Sequence, residues 1–129
     1  MIILDSDTCI AILRGQRSVI EWRSRTVDEV ATTWITAGEL FYGAAKSRDP
    51  VGNRRLILEF LENLPILHPN LTAAEFFGIL RAALEARGQR LPDADLWIGA
   101  IARAHRAVVI TGNIRHFARM NVRTENWMG

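Results

Sequence analysis

The sequence predicts an α/β fold in which helices cover one parallel sheet. Helical and extended patterns alternate along the whole chain, as they do where crossover helices connect parallel strands. The first strand, Ile2–Leu4, is a short apolar run of the kind that is buried on both faces. It ends on a carboxylate, Asp5, and α/β proteins bind their ligands beyond that end of the strands. These observations direct attention to the carboxyl edge of the sheet.

The first half of the chain is predicted to contain three helical segments and a second strand. Residues 8–14 predict a short helix that ends at Gly15, and residues 19–23 predict one or two helical turns. Residues 29–34 are rich in β-branched side chains and predict the second strand. Thr36 then begins a helix that reaches about residue 46.

The second half continues the alternation. Residues 53–64 carry apolar side chains at helical spacing and end before Pro65, and residues 66–67 are a brief third strand. A long helix capped by Thr72 is predicted to end at Gly88, and Asp93 is the expected N-cap of the next helix. The sequence closes with two more predicted strands, residues 107–110 and 122–124.

Length and composition favour one domain, residues 1–129, of ordinary globular character. Apolar residues make up 49% and charged residues 23% of the chain. Cys9 is the only cysteine, so an intrachain disulfide is impossible and a reducing cytoplasm is the expected location. No uncharged apolar stretch approaches the roughly 18 residues that a membrane span needs.

The charge pattern is compatible with nucleic acid but does not require it. The net charge is +2, and 15 of the 16 basic residues are arginine. The arginine fork binds two phosphate oxygens at once, which suits RNA or DNA. A GC-rich coding bias explains the same excess equally well. No zinc-finger spacing or aromatic RNA-binding signature accompanies it.

Two further acids lie at junctions comparable to that of Asp5. Glu39 follows Thr36 in a capping-box pattern, so a purely structural role is open to it. Asp95 is compatible with a favourable charge in the first turn of its helix. Its helical face also carries Ile98 and Ala102, which predicts that the carboxylate points inward and has a partner.

The predicted meeting of Asp5, Glu39 and Asp95 calls for a cation. Two carboxylates about 4 Å apart repel by roughly 4 kcal/mol at an effective dielectric constant of about 20. The only lysine, Lys46, offers no convincing counter-charge. Oxygen ligands without a histidine or cysteine set favour Mg²⁺ or Mn²⁺. Metal-assisted phosphodiester hydrolysis is the chemistry that such a site indicates.

Asn113 follows the last central strand, as Asp5 follows the first. It is either a turn residue or a side chain that holds a metal-bound water or a phosphate oxygen, with Thr111 beside it. Asp7 and Asp93 are expected to be peripheral. Three histidines lie in unrelated settings and are expected to serve surface or packing roles: His68, His105 and His116.

Four ordered blocks carry a resemblance to a known family. They are ILDSD at residues 3–7, TAGELFYGA at 36–44, DLWIGA at 95–100 and ITGNIRHF at 110–117. Each block alone is loose, but the ordered set resembles PIN-domain ribonuclease toxins of the VapC family and covers almost the whole chain.

The resemblance implies a three-layer α/β/α sandwich around a mainly parallel sheet of four or five strands. It also implies an endoribonuclease that depends on Mg²⁺, or alternatively Mn²⁺, and serves as the toxin of a type II toxin–antitoxin pair. Asp5, Glu39 and Asp95 match the metal-binding acids of the family, and Asn113 falls where many members carry a fourth acid. Gly112 and His116 depart from residues that are frequent at their positions, so neither is assigned a catalytic role.

The resemblance further implies partners. These are a VapB-type antitoxin, a second copy of the toxin, an RNA substrate such as tRNA or rRNA, and operator DNA reached only through the antitoxin. We expect Asp5 and Asp95 to hold the ion directly, and Glu39 to complete the site or orient water. Flanking phosphates are assigned to three arginines: Arg14, Arg87 and Arg115.

Three other interpretations remain open. Asp5-Ser6-Asp7 also suits the nucleophile loop of a haloacid-dehalogenase-like phosphatase, for which only Lys46 is available as the required lysine. A receiver-like signalling module needs an acceptor aspartate after the third strand, and residues 66–71 contain none. A PIN scaffold that only binds partners is disfavoured by its retained acids.

Overall fold

Five parallel strands form one sheet in the computed structural model, which describes residues 1–129. The strands are β1 (Ile2–Leu4), β2 (Val30–Thr33), β3 (Ile66–Leu67), β4 (Val108–Ile110) and β5 (Thr124–Glu125). Their spatial order is β3-β2-β1-β4-β5, and every neighbouring pair is parallel. The predicted α/β class is therefore confirmed.

Seven helices flank the sheet. They are α1 (Ser6–Leu13), α2 (Arg17–Arg25), α3 (Trp34–Ala45), α4 (Pro50–Glu62), α5 (Leu71–Ala86), α6 (Asp93–His105) and α7 (Ile114–Ala118). None of them combines the length and the apolar character that crossing a membrane requires.

Side-chain alternation in the central strand divides the core in two. Ile3 packs with residues of α5, α6 and α7, whereas Ile2 and Leu4 pack with residues of α1 to α4. β4 repeats the division, since Val109 joins the first cluster and Ile110 the second. Because strand side chains point alternately to opposite faces, both faces of the sheet are covered by helices. This is the predicted α/β/α sandwich.

The chain order creates a switch point between β1 and β4. From β1 the chain moves outward through β2 and β3, and then returns to place β4 on the other side of β1. Leu4 pairs with Ile110, so Asp5 and Thr111 follow their strands at the same level of the sheet. The backbone N–H of Asp5 donates to the carbonyl of Ile110 at 2.9 Å. Open α/β sheets bind ligands at such a point.

Several helix starts differ from those predicted. The side chain of Thr33 accepts from the N–H of Thr36 and caps α3, so the predicted Thr36–Glu39 capping box does not form. Asn70, not Thr72, caps α5, because its side chain accepts from the N–H of Ala73. Pro92 stands at the N-cap of α6, and the expected cap from Asp93 is absent. The proline side chain has no hydrogen-bond acceptor, so α6 begins without a side-chain cap.

The end of the chain was predicted least well. The sequence interpretation has no helix at α7, which has only five residues and no side-chain cap. The last strand, predicted over residues 122–124, begins two residues later and covers Thr124–Glu125. Cys9 and Trp127 are buried in the core, whereas Trp22 is 45% exposed and stacks on Trp127.

Candidate active site

Asp5 is the buried centre of the site. It is the N-cap of α1, since its Oδ1 accepts from the N–H of Ser6 at 2.8 Å. Its Oδ2 accepts from the hydroxyl of Thr111 at 2.7 Å. Only 6% of the residue is exposed. Capping and a functional role are therefore compatible, because one oxygen holds the helix start and the other faces the switch point.

The loop after β4 is fixed by two side-chain acceptors. Thr111 Oγ1 accepts from the N–H of Asn113 at 2.9 Å, and Asp7 Oδ2 accepts from the N–H of Gly112 at 2.8 Å. A Cβ atom on Gly112 would lie 3.0 Å from Asp7 Oδ2 and 2.9 Å from Met128 Cε. The position thus favours glycine through close approach. Asp7, which was expected to be peripheral, anchors this loop.

Glu39 reaches the same edge from α3. Because Thr33 caps α3, the carboxylate of Glu39 is not needed at the start of the helix. Glu39 Oε2 accepts a long, 3.4 Å hydrogen bond from the Ser6 hydroxyl. Burial raises the pKa of Glu39, the Ser6 hydrogen bond opposes this, and the charges of Asp95 and Asp7 raise it further. The structural role suggested by the capping-box pattern is therefore absent.

Asp95 lies in the first turn of α6 and is 16% exposed at its side chain. Its inward orientation agrees with the sequence prediction, because Ile98 and Ala102 on the same face are buried. The sequence predicted a partner for this carboxylate without identifying it. In the structure the partner is His116 on α7, whose Nδ1 lies 2.5 Å from Asp95 Oδ2. Asn113 Nδ2 lies 2.9 Å from the same ring nitrogen. A nitrogen that donates to Asp95 cannot also accept from Asn113, so the pairing leaves the Asn113 amide available.

His116 is the site residue that sequence reasoning missed. A packing or surface role was expected for it, and the structure places it against an acid of the site. Its position three residues after Asn113 would have been a signal, since residues that far apart share a helical face. That signal depends on recognising α7 as a helix.

The negative charges of neighbouring acids affect the pKa values of the site carboxylates. The pKa of Asp5 is raised to about 6, chiefly by burial, while hydrogen bonds from Thr111 and Ser6 lower it and the charges of Asp7 and Asp95 raise it. The structure therefore places Asp95 where its charge raises the pKa of both Asp5 and Glu39. No group of three histidine, cysteine, aspartate or glutamate side chains is arranged to hold a metal ion. The acids are neighbours, but they are not assembled as a three-ligand cluster.

The three predicted phosphate-binding arginines occupy different settings. Arg14 lines a groove that also contains Ser6 and Glu39. Arg87 donates to the carbonyl of Arg119 at 2.9 Å, so it joins α5 to the end of α7. Arg115 is exposed beside His116. Arg14 is the one that shares a cavity with a site acid.

The chain is similar to proteins of one family along nearly its whole length. The PIN domain family matches residues 2–122. Ribonuclease VapC2 of Haemophilus influenzae is 36% identical over 126 residues, which cover 95% of this chain and 96% of the relative. The tRNA(fMet)-specific endonuclease VapC of Shigella flexneri is 32% identical and covers 96% of each chain.

A solved structure gives the same relationship. The DNA-bound VapBC complex of Salmonella typhimurium contains a chain that matches with a TM-score of 0.91 and 31% identity, over 98% of this chain and 97% of that one. The phosphatase and receiver interpretations are thereby excluded. The chain belongs to the PIN domain family and, within it, to the VapC ribonuclease toxins.

Proposed function

We propose that this chain is a divalent-metal-dependent endoribonuclease, the toxin of a type II toxin–antitoxin pair. The observation that carries the proposal is the position of Asp5 at the switch point of the sheet. There it is buried with a raised pKa, and the negative charges of Asp7 and Asp95 add to that rise. A bound cation would offset the free-energy cost of holding this buried carboxylate in its ionised form.

The donor set suits a hard cation. Asp5 and Asp95 are the proposed direct ligands, and Glu39 completes the site. Carboxylate oxygens favour Mg²⁺ or Mn²⁺. When bound, the ion would lower the pKa of water and neutralise charge on the scissile phosphate. Asp95 would exchange its contact with His116 for the ion, which accounts for the absence of a preassembled cluster.

The remaining groups position these acids and the substrate. Ser6 and Thr111 hold the two oxygens of Asp5 in a fixed orientation. Glu39, whose pKa is also raised, is the proposed group that orients the attacking water and accepts its proton. The amide of Asn113 is assigned to a phosphate oxygen. Hydrolysis then breaks one phosphodiester bond of RNA.

Substrate and partners follow from the relatives. One relative is named as a tRNA(fMet)-specific endonuclease, so a tRNA, or a structured rRNA loop, is the proposed substrate class. Solved neighbours include VapBC complexes, two of them bound to DNA. We therefore assign a VapB-type antitoxin as inhibitor, operator DNA as a ligand of that antitoxin, and a homodimer of one-domain protomers in the cytoplasm as the working form.

An RNA cleavage assay tests the proposal. The purified chain is expected to cleave RNA when Mg²⁺ or Mn²⁺ is added. Cleavage should stop when EDTA removes the metal ion. Asp5→Asn and Asp95→Asn should reduce the rate by at least about 100-fold, since each removes a ligand charge. Asp49→Asn, which alters an exposed acid that caps α4, is the matched control and should cut at the normal rate. Cleavage that persists in EDTA, or in Asp5→Asn, would overturn the proposal.

A further inference from the structure

A groove of about 700 Å³ opens beside the acids. It begins at Ser6 and Glu39 and is bounded by α1, α3 and α4. Its apolar walls include Ile10 and Leu56, which are 38% and 55% exposed. The groove is therefore continuous with the proposed catalytic site and is large enough to hold part of a polymeric substrate.

The negative and positive side chains of the groove lie in different parts of it. Glu39 is its only acid and belongs to the catalytic end, whereas Arg14 and Lys46 are its other charged residues and both are basic. Lys46 is the only lysine of the chain. Away from the acids, the groove therefore complements a polyanion.

Tyr42 provides an exposed aromatic surface between these two ends. It is the only tyrosine of the chain and is 65% exposed. It lies three residues after Glu39 on α3, a spacing that places both side chains on one helical face. The Lys46 ammonium lies over one face of the Tyr42 ring, 4.7 Å from its centre. An aromatic ring beside a cation is the usual platform for an unpaired base and its phosphate.

We propose that this groove binds the single-stranded RNA segment that flanks the scissile phosphate. One base stacks on Tyr42, and the adjoining phosphates contact Lys46 and Arg14. The inference rests on the proposed ribonuclease function and extends it to a substrate-binding track. Continuity with the acids and the basic charge favour RNA over an apolar protein segment as the occupant.

Binding of a short RNA tests the stacking contact. The probe is a fluorescent single strand of about ten nucleotides, within the site sizes that are usual for grooves that bind single strands. Anisotropy is measured in EDTA with the Asp5→Asn chain, so that cleavage does not interfere. Adding Tyr42→Leu should weaken binding about tenfold, the usual loss of one stacked base. Tyr42→Phe keeps the ring and should bind as its parent does.

The basic contacts have their own matched control. Lys46→Gln and Arg14→Gln should each weaken binding and reduce its salt dependence, because a phosphate contact is lost. Arg54→Gln changes an exposed arginine of α4 that does not line the groove, and it should leave binding unchanged. Equal losses from all three changes would mean general charge attraction and would overturn the assignment.

A spectroscopic readout locates the base directly. Because Tyr42 is the only tyrosine, 3-fluorotyrosine gives a single ¹⁹F signal. Addition of the RNA should shift that signal, as ring stacking changes its surroundings. An unshifted signal, or Tyr42→Leu binding RNA normally while losing antitoxin binding, would overturn the RNA track. If the unsubstituted chain cuts RNA in either case, the proposed function stands and only the groove assignment fails.

Discussion

The hydroxyl of Thr111 donates a 2.7 Å hydrogen bond to Asp5 Oδ2 and so joins the ends of β1 and β4 at the centre of the sheet. The same oxygen of Thr111 accepts from the N–H of Asn113. One hydroxyl therefore orients the buried acid and the loop that follows β4. This relay depends on the strand order, because only adjacent parallel strands bring residues 5 and 111 together.

Thr111→Val should remove the relay while preserving side-chain shape. The N–H of Asn113 and the carboxylate of Asp5 each lose a partner, so the free energy of unfolding should fall by about 1–3 kcal/mol. RNA cleavage should fall as well, since Asp5 is no longer held. Thr111→Ser keeps the hydroxyl and should recover most of both properties. Urea denaturation and cleavage rates provide the test, and a Val variant as active as Ser would contradict it.

Asp5 should destabilise the metal-free protein at neutral pH. Burial raises its pKa from 3.8 to about 6, so between these values the folded state binds more protons than the unfolded state. Stability contributed by Asp5 is therefore present below about pH 4 and lost as pH rises through 6. The loss amounts to about 3 kcal/mol.

Asp5→Asn should abolish that dependence. In EDTA at pH 8 the variant should be more stable than the parent by up to about 3 kcal/mol, and the difference should disappear near pH 4. Urea denaturation across this pH range measures it. A difference that does not vary with pH would show that the charge of Asp5 carries no such cost.

His116→Ala should make folding depend more strongly on divalent metal. Without its histidine partner, Asp95 faces the other acids with no compensating contact, so stability in EDTA should fall by about 1–3 kcal/mol. Mg²⁺ should restore more stability to the variant than it adds to the parent, because no histidine competes for Asp95. Thermal unfolding with and without Mg²⁺ checks this, and equal Mg²⁺ effects in both proteins would count against the exchange.

Gly112→Ala should impair cleavage through the loop. Its new Cβ would approach Asp7 Oδ2 and Met128 Cε to 3.0 and 2.9 Å, so the loop that carries Asn113 must shift. We expect a loss of at least about tenfold in kcat, as a misplacement near 1 Å can cost more than that. Gly78→Ala is the matched control, because it meets no atom within 4 Å in the middle of α5. It should raise stability by about 0.5–1 kcal/mol and leave kcat unchanged.

The sequence was informative where local chemistry and tertiary structure agree. Buried strands such as Ile2–Leu4 are continuous apolar runs, and an acid that follows them lies at the ligand-binding edge. Asp95 could be given an inward orientation because its helix carries a clear buried face, which includes Ile98. These features can be predicted from patterns that extend over only a few residues of the sequence.

The missed features depend on contacts between distant segments. The cap of α3 belongs to Thr33, a strand residue that resembles its neighbour Thr32 until the strand end is known. The pairing of His116 with Asp95 joins positions 21 residues apart across two helices. A five-residue helix such as α7 has too few turns to show a hydrophobic period. No local pattern encodes such pairings.

The most direct test of the metal site is an anomalous-diffraction experiment on crystals of this protein grown with Mn²⁺. We predict an anomalous peak bonded to Asp5 and Asp95, with Glu39 in contact directly or through water and His116 turned away from Asp95. No peak at the carboxyl edge of the sheet, with Asp95 still paired to His116, would contradict the account.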